Sequence, residues 1–263
     1  HDKRQMIDGE YQQIGEDEYT DENSFFVVPD FPEMWENNQL PTNGKMLLGF
    51  SSEDAEPLIK STSEIGTVAI VGQSGMGKST LTRLLICQGL LHGHKYMIAD
   101  PHLDAGEESL GASLQPLGEH LAAPVASRPD AINSMFAYVL SIIDARLNGK
   151  DQDRTPITVF ADEFNGILMN EETQKSAEAL AVKCATESRK VNISLVCLAQ
   201  SLHSDFMPSS IRNTFHGAII LPGHRDMAGN FIATSQKQLI EELEIGDAIL
   251  SPILANFDVG FFN

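Results

Sequence analysis

Three cysteines in 263 residues, Cys87, Cys184 and Cys197, are too few, odd in number and too widely spaced for a disulfide framework or a zinc site. Each sits within an apolar helix or strand pattern, so buried free thiols in a reducing compartment are expected. Basic residues are also scarce. Eighteen Lys and Arg stand against 37 Asp and Glu, a net charge of −19, which removes the global attraction to phosphate that usually marks a nucleic-acid-binding surface. No uninterrupted apolar run approaches the ~18 residues of a membrane span, and no signal-peptide pattern precedes the domain. The chain opens on His1 rather than Met. It is read as a cytoplasmic domain, with an upstream membrane anchor left open. His92, His94, His120 and His203 show no metal-ligand spacing, and there are no internal repeats.

The acidity is uneven. Residues 1–65 hold fifteen Asp and Glu against four Lys and Arg, a net of −11, leaving −8 for the remainder. Residues 1–23 are polar, with Glu16-Asp17-Glu18 and Asp21-Glu22, and read as a flexible solvated arm. Residues 24–65 combine a short strand-like run at 25–28 with Pro29, Pro32, Pro41 and Pro57, an irregular flank packed on the main domain. From Gly66 onward, strands and helices alternate over 66–263, which predicts an α/β domain: a mainly parallel sheet covered by helices on both faces. Strands are expected at 67–71, 96–99, 157–161, 193–199 and 218–221, with terminal strands at 248–250 and 258–262. Helices are expected at 78–89, 129–146 and 171–190.

The first of these strands runs into Gly72-Gln73-Ser74-Gly75-Met76-Gly77-Lys78-Ser79-Thr80, which satisfies G-x-x-x-x-G-K-[ST] between a strand and a helix. Glycines let successive backbone N–H groups face one concavity, and the helix N-terminus adds partial positive charge. In such a loop Lys78 reaches the β and γ phosphates and the Ser79 hydroxyl ligates Mg²⁺. Residues 72–80 are therefore the expected ATP site.

Two further strands end in polar groups. The run Ile157-Thr158-Val159-Phe160-Ala161 leads into Asp162-Glu163. An acidic pair at a strand end is often a helix cap, but downstream of a phosphate loop Asp162 is expected to hold Mg²⁺ through its water shell. Glu163 would then polarise the attacking water. The strand 193–199 ends in Gln200, at the edge where parallel sheets bind ligands, and its amide is suited to orient that water. Asp100 and His102 follow the second strand beside the same cleft.

The GQSGMGKST loop, IADPH, VFADEFN and ESRKVNISLVCLAQS occur in an order that resembles the FtsK/HerA group of ring-forming P-loop ATPases, which includes DNA translocases and conjugation and DNA-packaging motors. The resemblance spans about residues 47–221. It implies a RecA-like core with the Gln200 strand between the Walker A and Walker B strands, and a homo-oligomeric ring, a hexamer, with nucleotide between neighbouring subunits. It also implies that Arg189 supplies a positive charge to a neighbour's nucleotide, although a cation at a helix C-terminus has a simpler use against the helix dipole. Arg212 and Arg225 rank below it for that role. The implied activity is Mg²⁺-dependent ATP hydrolysis that moves double-stranded DNA through a pore, and the segment 201–213, with Arg212, is a candidate DNA-facing loop. Two readings stand beside it. One is an ATP-dependent switch or scaffold that binds a protein partner through the acidic N-terminal region. The other is a conjugation or secretion motor with different cargo. The chain departs from the family in lacking a basic guiding segment before the loop and a DNA-reading domain after the motor.

Overall fold

A computed structural model describes residues 4–7, 10–13, 31–42, 44–51, 54–105, 109–250 and 259–261. The strand expected at 25–28 and the acidic cluster 16–22 lie outside the described residues. The strands are β1 (Arg4–Ile7), β2 (Glu10–Gln13), β3 (Lys45–Ser51), β4 (Pro57–Ser61), β5 (Thr67–Val71), β6 (Lys95–Ala99), β7 (Ile157–Ala161), β8 (Ile193–Ala199), β9 (Gly217–Ile220), β10 (Asp247–Leu250) and β11 (Val259–Phe261). The helices are α1 (Phe31–Glu36), α2 (Thr62–Ile65), α3 (Lys78–Leu91), α4 (Leu110–Ser113), α5 (Pro129–Leu147), α6 (Phe164–Met169), α7 (Gln174–Val191), α8 (Ser209–Arg212) and α9 (Leu239–Glu242). Within the acidic arm β1 and β2 pair with each other, antiparallel.

Nine strands form one sheet in the order β4-β3-β11-β10-β9-β5-β8-β7-β6. The five from β9 to β6 are parallel, and the remaining pairings are antiparallel. Every residue of β5, β7 and β8 is buried, as expected of parallel strands covered on both faces, whose sequences read as continuous apolar runs. Successive residues of a strand point to opposite faces, and the core divides accordingly. Ala69, Val71, Val159, Ala161, Leu195 and Cys197 pack with the buried faces of α5, α6 and α7. Val68, Ile70, Phe160, Val196 and Leu198 pack with α3 and β3 on the other side.

The flank before Gly66 is more regular than its prolines suggest. β3 and β4 pair antiparallel at the sheet edge, so the packed unit begins well before the alternating pattern does. Pro57 is accommodated as the first residue of the outermost strand, where no ladder donor is lost to a neighbour. The buried Gln88 amide fixes this pair to the helix of the phosphate loop. Its Nε2 donates to the Leu47 carbonyl at 3.0 Å and its Oε1 accepts from the Leu47 N–H at 2.8 Å, beside the register shift between Leu47 and Gly49. On the opposite face Arg146, only 3% exposed, donates to the carbonyls of Val191 at 2.7 Å and Thr155 at 3.1 Å. Its Nε lies 3.2 Å from Asp151. One guanidinium thus ties the ends of α5 and α7 to the segment entering β7, where the paired carboxylates are carried. Cys184 and Cys197 are buried free thiols as expected, whereas Cys87 is half-buried. Among the described residues no helix is long and apolar enough to cross a membrane.

Candidate functional site

The ends of three adjacent parallel strands converge. β8 lies between β5 and β7, so the loop 72–80, Asp162-Glu163 and Gln200 all emerge at one edge of the sheet. The loop is held down by the Gly72 N–H, which donates to the Ala199 carbonyl at 3.3 Å. Gly75 and Gly77 take φ of 80° and 95°, the left-handed region open to glycine. A Cβ at either position would meet nothing within 4 Å, so backbone conformation rather than crowding calls for glycine there. Gly77 caps α3 without a side-chain bond, which leaves the first N–H groups of the helix available to an anion. The Lys78 Nζ donates to the carbonyls of Gly72 at 2.7 Å and Gln73 at 3.1 Å. Burial draws the Lys78 ammonium below the usual lysine range, against the opposing pull of Glu163 and Asp162. Gln73, Ser74 and Thr80 are exposed and Ser79 half-buried, and the Thr80 hydroxyl accepts from Arg83 at 3.2 Å. Met76 packs on the core beneath the loop.

Asp162 is mostly enclosed. Burial, followed by the carboxylate of Asp100, pushes it up to about 6. Among the described residues no cation lies within ion-pair distance of it. A half-buried carboxylate beside an open helix terminus and a lysine, without an ion-pair partner among the described residues, fits the donor set of a Mg²⁺–nucleotide site. Asp100 is fully buried, and its two oxygens accept from the backbone N–H groups of His102 at 2.8 Å and Gly111 at 2.7 Å. Asp100 is thus a wall of the site; His102 is exposed beside it.

Glu163 takes φ 46° and ψ 46° at the start of α6, a left-handed conformation that costs a non-glycine residue about 1 kcal/mol or more. Its N–H donates to the Asp162 carboxylate at 2.9 Å. The Gln200 Nε2 donates to both Glu163 oxygens at 3.1 and 3.2 Å, so the expected base and the expected water-orienting amide are in direct contact. They border a cavity of about 600 Å³ that also takes in Gln73, Asn165, Phe206 and His224. Sequence reasoning missed Asn165. It stands in the VFADEFN motif, but only the folded chain shows what its amide touches.

Arg189 is elsewhere. It lies near the C-terminus of α7, before β8, whereas Gln200 follows that strand; seven strand residues put about 23 Å between the two ends. Its charge is felt instead by His216, lowered by burial first and by Arg189 second. The ring of His216 accepts from the Thr67 N–H at the start of β5 at 3.1 Å. Arg189 is exposed, and among the described residues no carboxylate pairs with it. It has no access to the site of its own chain. Arg212, in the candidate DNA-facing segment, belongs to α8 and is half-buried, with its Nε enclosed and without a hydrogen-bond partner among the described residues. Arg225 is exposed on the loop after β9.

No protein-family model matches the chain, and no curated protein matches it in sequence. Solved structures do match. The pCW3 conjugation coupling protein TcpA, in monomer form with ATPgS, aligns over 87% of this chain and 68% of its own, at 19% identity and a TM-score of 0.62. The chain has the fold of the FtsK/HerA-type P-loop ATPases. The cytoplasmic domain of the Thermomonospora curvata Type VII secretion ATPase EccC aligns over 86% of this chain at 12% identity and a TM-score of 0.64, with 27% of the EccC chain covered. VirB4 of Thermoanaerobacter pseudethanolicus aligns over 85% of this chain and 97% of its own, at 12% identity and a TM-score of 0.55. The expected strand order, with the Gln200 strand β8 between the phosphate-loop strand β5 and the Asp162-Glu163 strand β7, is the order observed here.

Proposed function

We propose that this chain is a Mg²⁺-dependent ATPase that works as a ring of identical subunits, a hexamer by resemblance, and moves double-stranded DNA. The observation that carries the ATPase is the Gln200–Glu163 contact beside the phosphate loop, because simple nucleotide retention needs no such pair. The backbone N–H groups of 72–80 and the Lys78 ammonium would bind the phosphates once Lys78 leaves the Gly72 and Gln73 carbonyls. Ser79 and Asp162 would hold Mg²⁺, which supplies positive charge against the β and γ phosphates when bound. Glu163 accepts a proton from the attacking water, and Gln200 holds that water in line. Arg189, remote from its own site and exposed, would serve a neighbouring subunit and stabilise transition-state charge there.

A net charge of −19 gives DNA no general footprint, so contact with duplex would be local to the pore of the assembled ring. That same charge supports the second reading, an ATP-dependent switch or scaffold that engages a protein partner through the acidic N-terminal region; a conjugation or secretion-type motor would share the engine and differ in cargo. Hydrolysis by assembled protein, at low and moderate salt and with and without long linear duplex, separates the two. Stimulation by duplex that fades as salt rises supports the DNA motor. No stimulation by duplex or single strands under either condition refutes it and favours the protein-directed reading.

A further inference from the structure

Asn165 is the second residue of α6, two positions after Glu163, and is 9% exposed. Both ends of its amide are engaged. The Nδ2 donates to the carbonyls of Ser201 at 3.0 Å and Phe206 at 3.2 Å. The Oδ1 accepts from the backbone N–H of Gln200 at 3.1 Å. One side chain therefore holds both ends of the loop that follows β8 to the helix that begins at the paired carboxylates. The far side of this loop is held as well. The Leu202 N–H donates to the Met227 carbonyl at 2.7 Å. Gly229, at φ 58°, lies so near that a Cβ would stand 2.7 Å from the Leu202 carbonyl oxygen.

Few side chains meet these demands. The position needs two donor hydrogens for two carbonyls and an acceptor for one N–H, on a stem short enough to stay within the first turn of α6. A primary amide supplies all three. An ionised aspartate would set negative charge against two carbonyl oxygens, and leucine would fill the volume with no polar atom. The peptide that joins Ala199 to Gln200 is thus held from both sides, its carbonyl accepting from the Gly72 N–H at 3.3 Å and its N–H donating to Asn165 at 3.1 Å. On the side facing α6 it is the Asn165 amide that holds the peptide from which the Gln200 side chain leaves toward Glu163.

We propose that Asn165 is a positioning residue for hydrolysis: it fixes Gln200 where its amide meets Glu163 and makes the 201–206 loop move with the helix that carries Glu163. This rests on the ATPase reading. A mere loop clamp would alter stability and leave turnover in the folded variant alone, so the two roles separate in kinetics. The test measures ATP turnover and the binding of a fluorescent ATP analogue, with Mg²⁺, for Asn165→Leu and Asn165→Ser in the wild-type and Gln200→Ala backgrounds. Displacing a catalytic group by about 1 Å costs roughly 100-fold, so kcat should fall by about that factor while nucleotide affinity stays within about threefold. The second expectation follows from the route of action: in the Gln200→Ala background, Asn165→Leu should cost almost nothing further. Asn165→Ser, which keeps a hydroxyl to accept the Gln200 N–H, should retain more turnover than Asn165→Leu, and it carries the same test if the leucine variant does not fold. Turnover within about threefold of wild type in a folded variant overturns the proposal. So do losses that multiply with Gln200→Ala, since Asn165 would then act by another route. A wild-type protein that binds the analogue but turns over no ATP refutes the ATPase reading itself, and is seen before any variant is compared.

Discussion

Replacing Asp162 with Asn should make the nucleotide-free protein more stable at neutral pH while removing its response to Mg²⁺-ATP. The carboxyl is raised from 3.8 to about 6 by burial and by Asp100. Between those two values the folded chain holds a proton that the unfolded chain has released. Stability therefore falls as pH rises from below 3.8 to above 6. The full fall corresponds to about 3 kcal/mol, at 1.36 kcal/mol for each tenfold change in proton affinity. Asn cannot ionise, keeps the oxygen that accepts from the Glu163 N–H, and removes one partner from the repulsion with Asp100. The variant should lie within about 0.6 kcal/mol of wild type at pH 4 and exceed it by up to about 3 kcal/mol above pH 7, or roughly 5–10 °C in Tm for a chain of this size. Thermal melts in EDTA from pH 4 to 8 read the difference directly, because the other titrating groups are common to both proteins. Repeating the melts with Mg²⁺ and a non-hydrolysable ATP analogue should stabilise wild type strongly and the variant weakly. An Asn variant equal to or less stable than wild type at pH 8 would refute the strained-carboxylate account, whatever its turnover.

Lys78→Ala should abolish tight nucleotide binding in calorimetry, whereas Glu163→Gln should bind normally and lose about 10²–10⁴ in turnover, because an amide cannot take the proton. Unchanged hydrolysis in Glu163→Gln would remove it as the base. Arg189→Ala should cost about 10³ or more in turnover, and mixing it with Glu163→Gln subunits should restore activity at interfaces that carry both intact groups; full specific activity from a monomer would rule the role out. Gly89→Ala should destabilise the fold by about 1–3 kcal/mol, despite a gain of about 1 kcal/mol in helix propensity. The added Cβ would fall on the hydroxyl of the buried Tyr96, and Tyr96→Phe should recover part of the loss in chemical denaturation.

Much of this architecture was legible because a parallel sheet buried on both faces leaves a simple trace. Thr67–Val71, Ile157–Ala161 and Ile193–Ala199 are continuous apolar runs, and each appears as a strand with those bounds. Helix ends were less legible. The helix expected from residue 171 begins at Gln174, since Asn170 first accepts from the Glu172, Thr173 and Gln174 N–H groups and holds a turn there. The edge pairing of β3 with β4 was hidden by Pro57, because the pairing that accommodates it is set by a partner strand rather than by local sequence.

The site divides along the same physical line. Groups whose role depends on a local turn, such as the phosphate loop and the carboxylates after β7, are visible in a short motif. Groups whose role depends on what lies across the sheet are not. Asn165 meets Gln200, Ser201 and Phe206 only after β8 has been inserted beside β7. The raised Asp162 likewise requires β6 to bring Asp100 alongside, although the two are 62 positions apart in the chain. Arg189 shows the converse. Its motif suggested an arginine that reaches a phosphate, and the topology puts it at the far end of β8 from its own phosphate loop. If Arg189 serves that chemistry, it does so in a second copy of the chain, and turnover then requires assembly. Hydrolysis should accordingly rise more steeply than linearly with protein concentration.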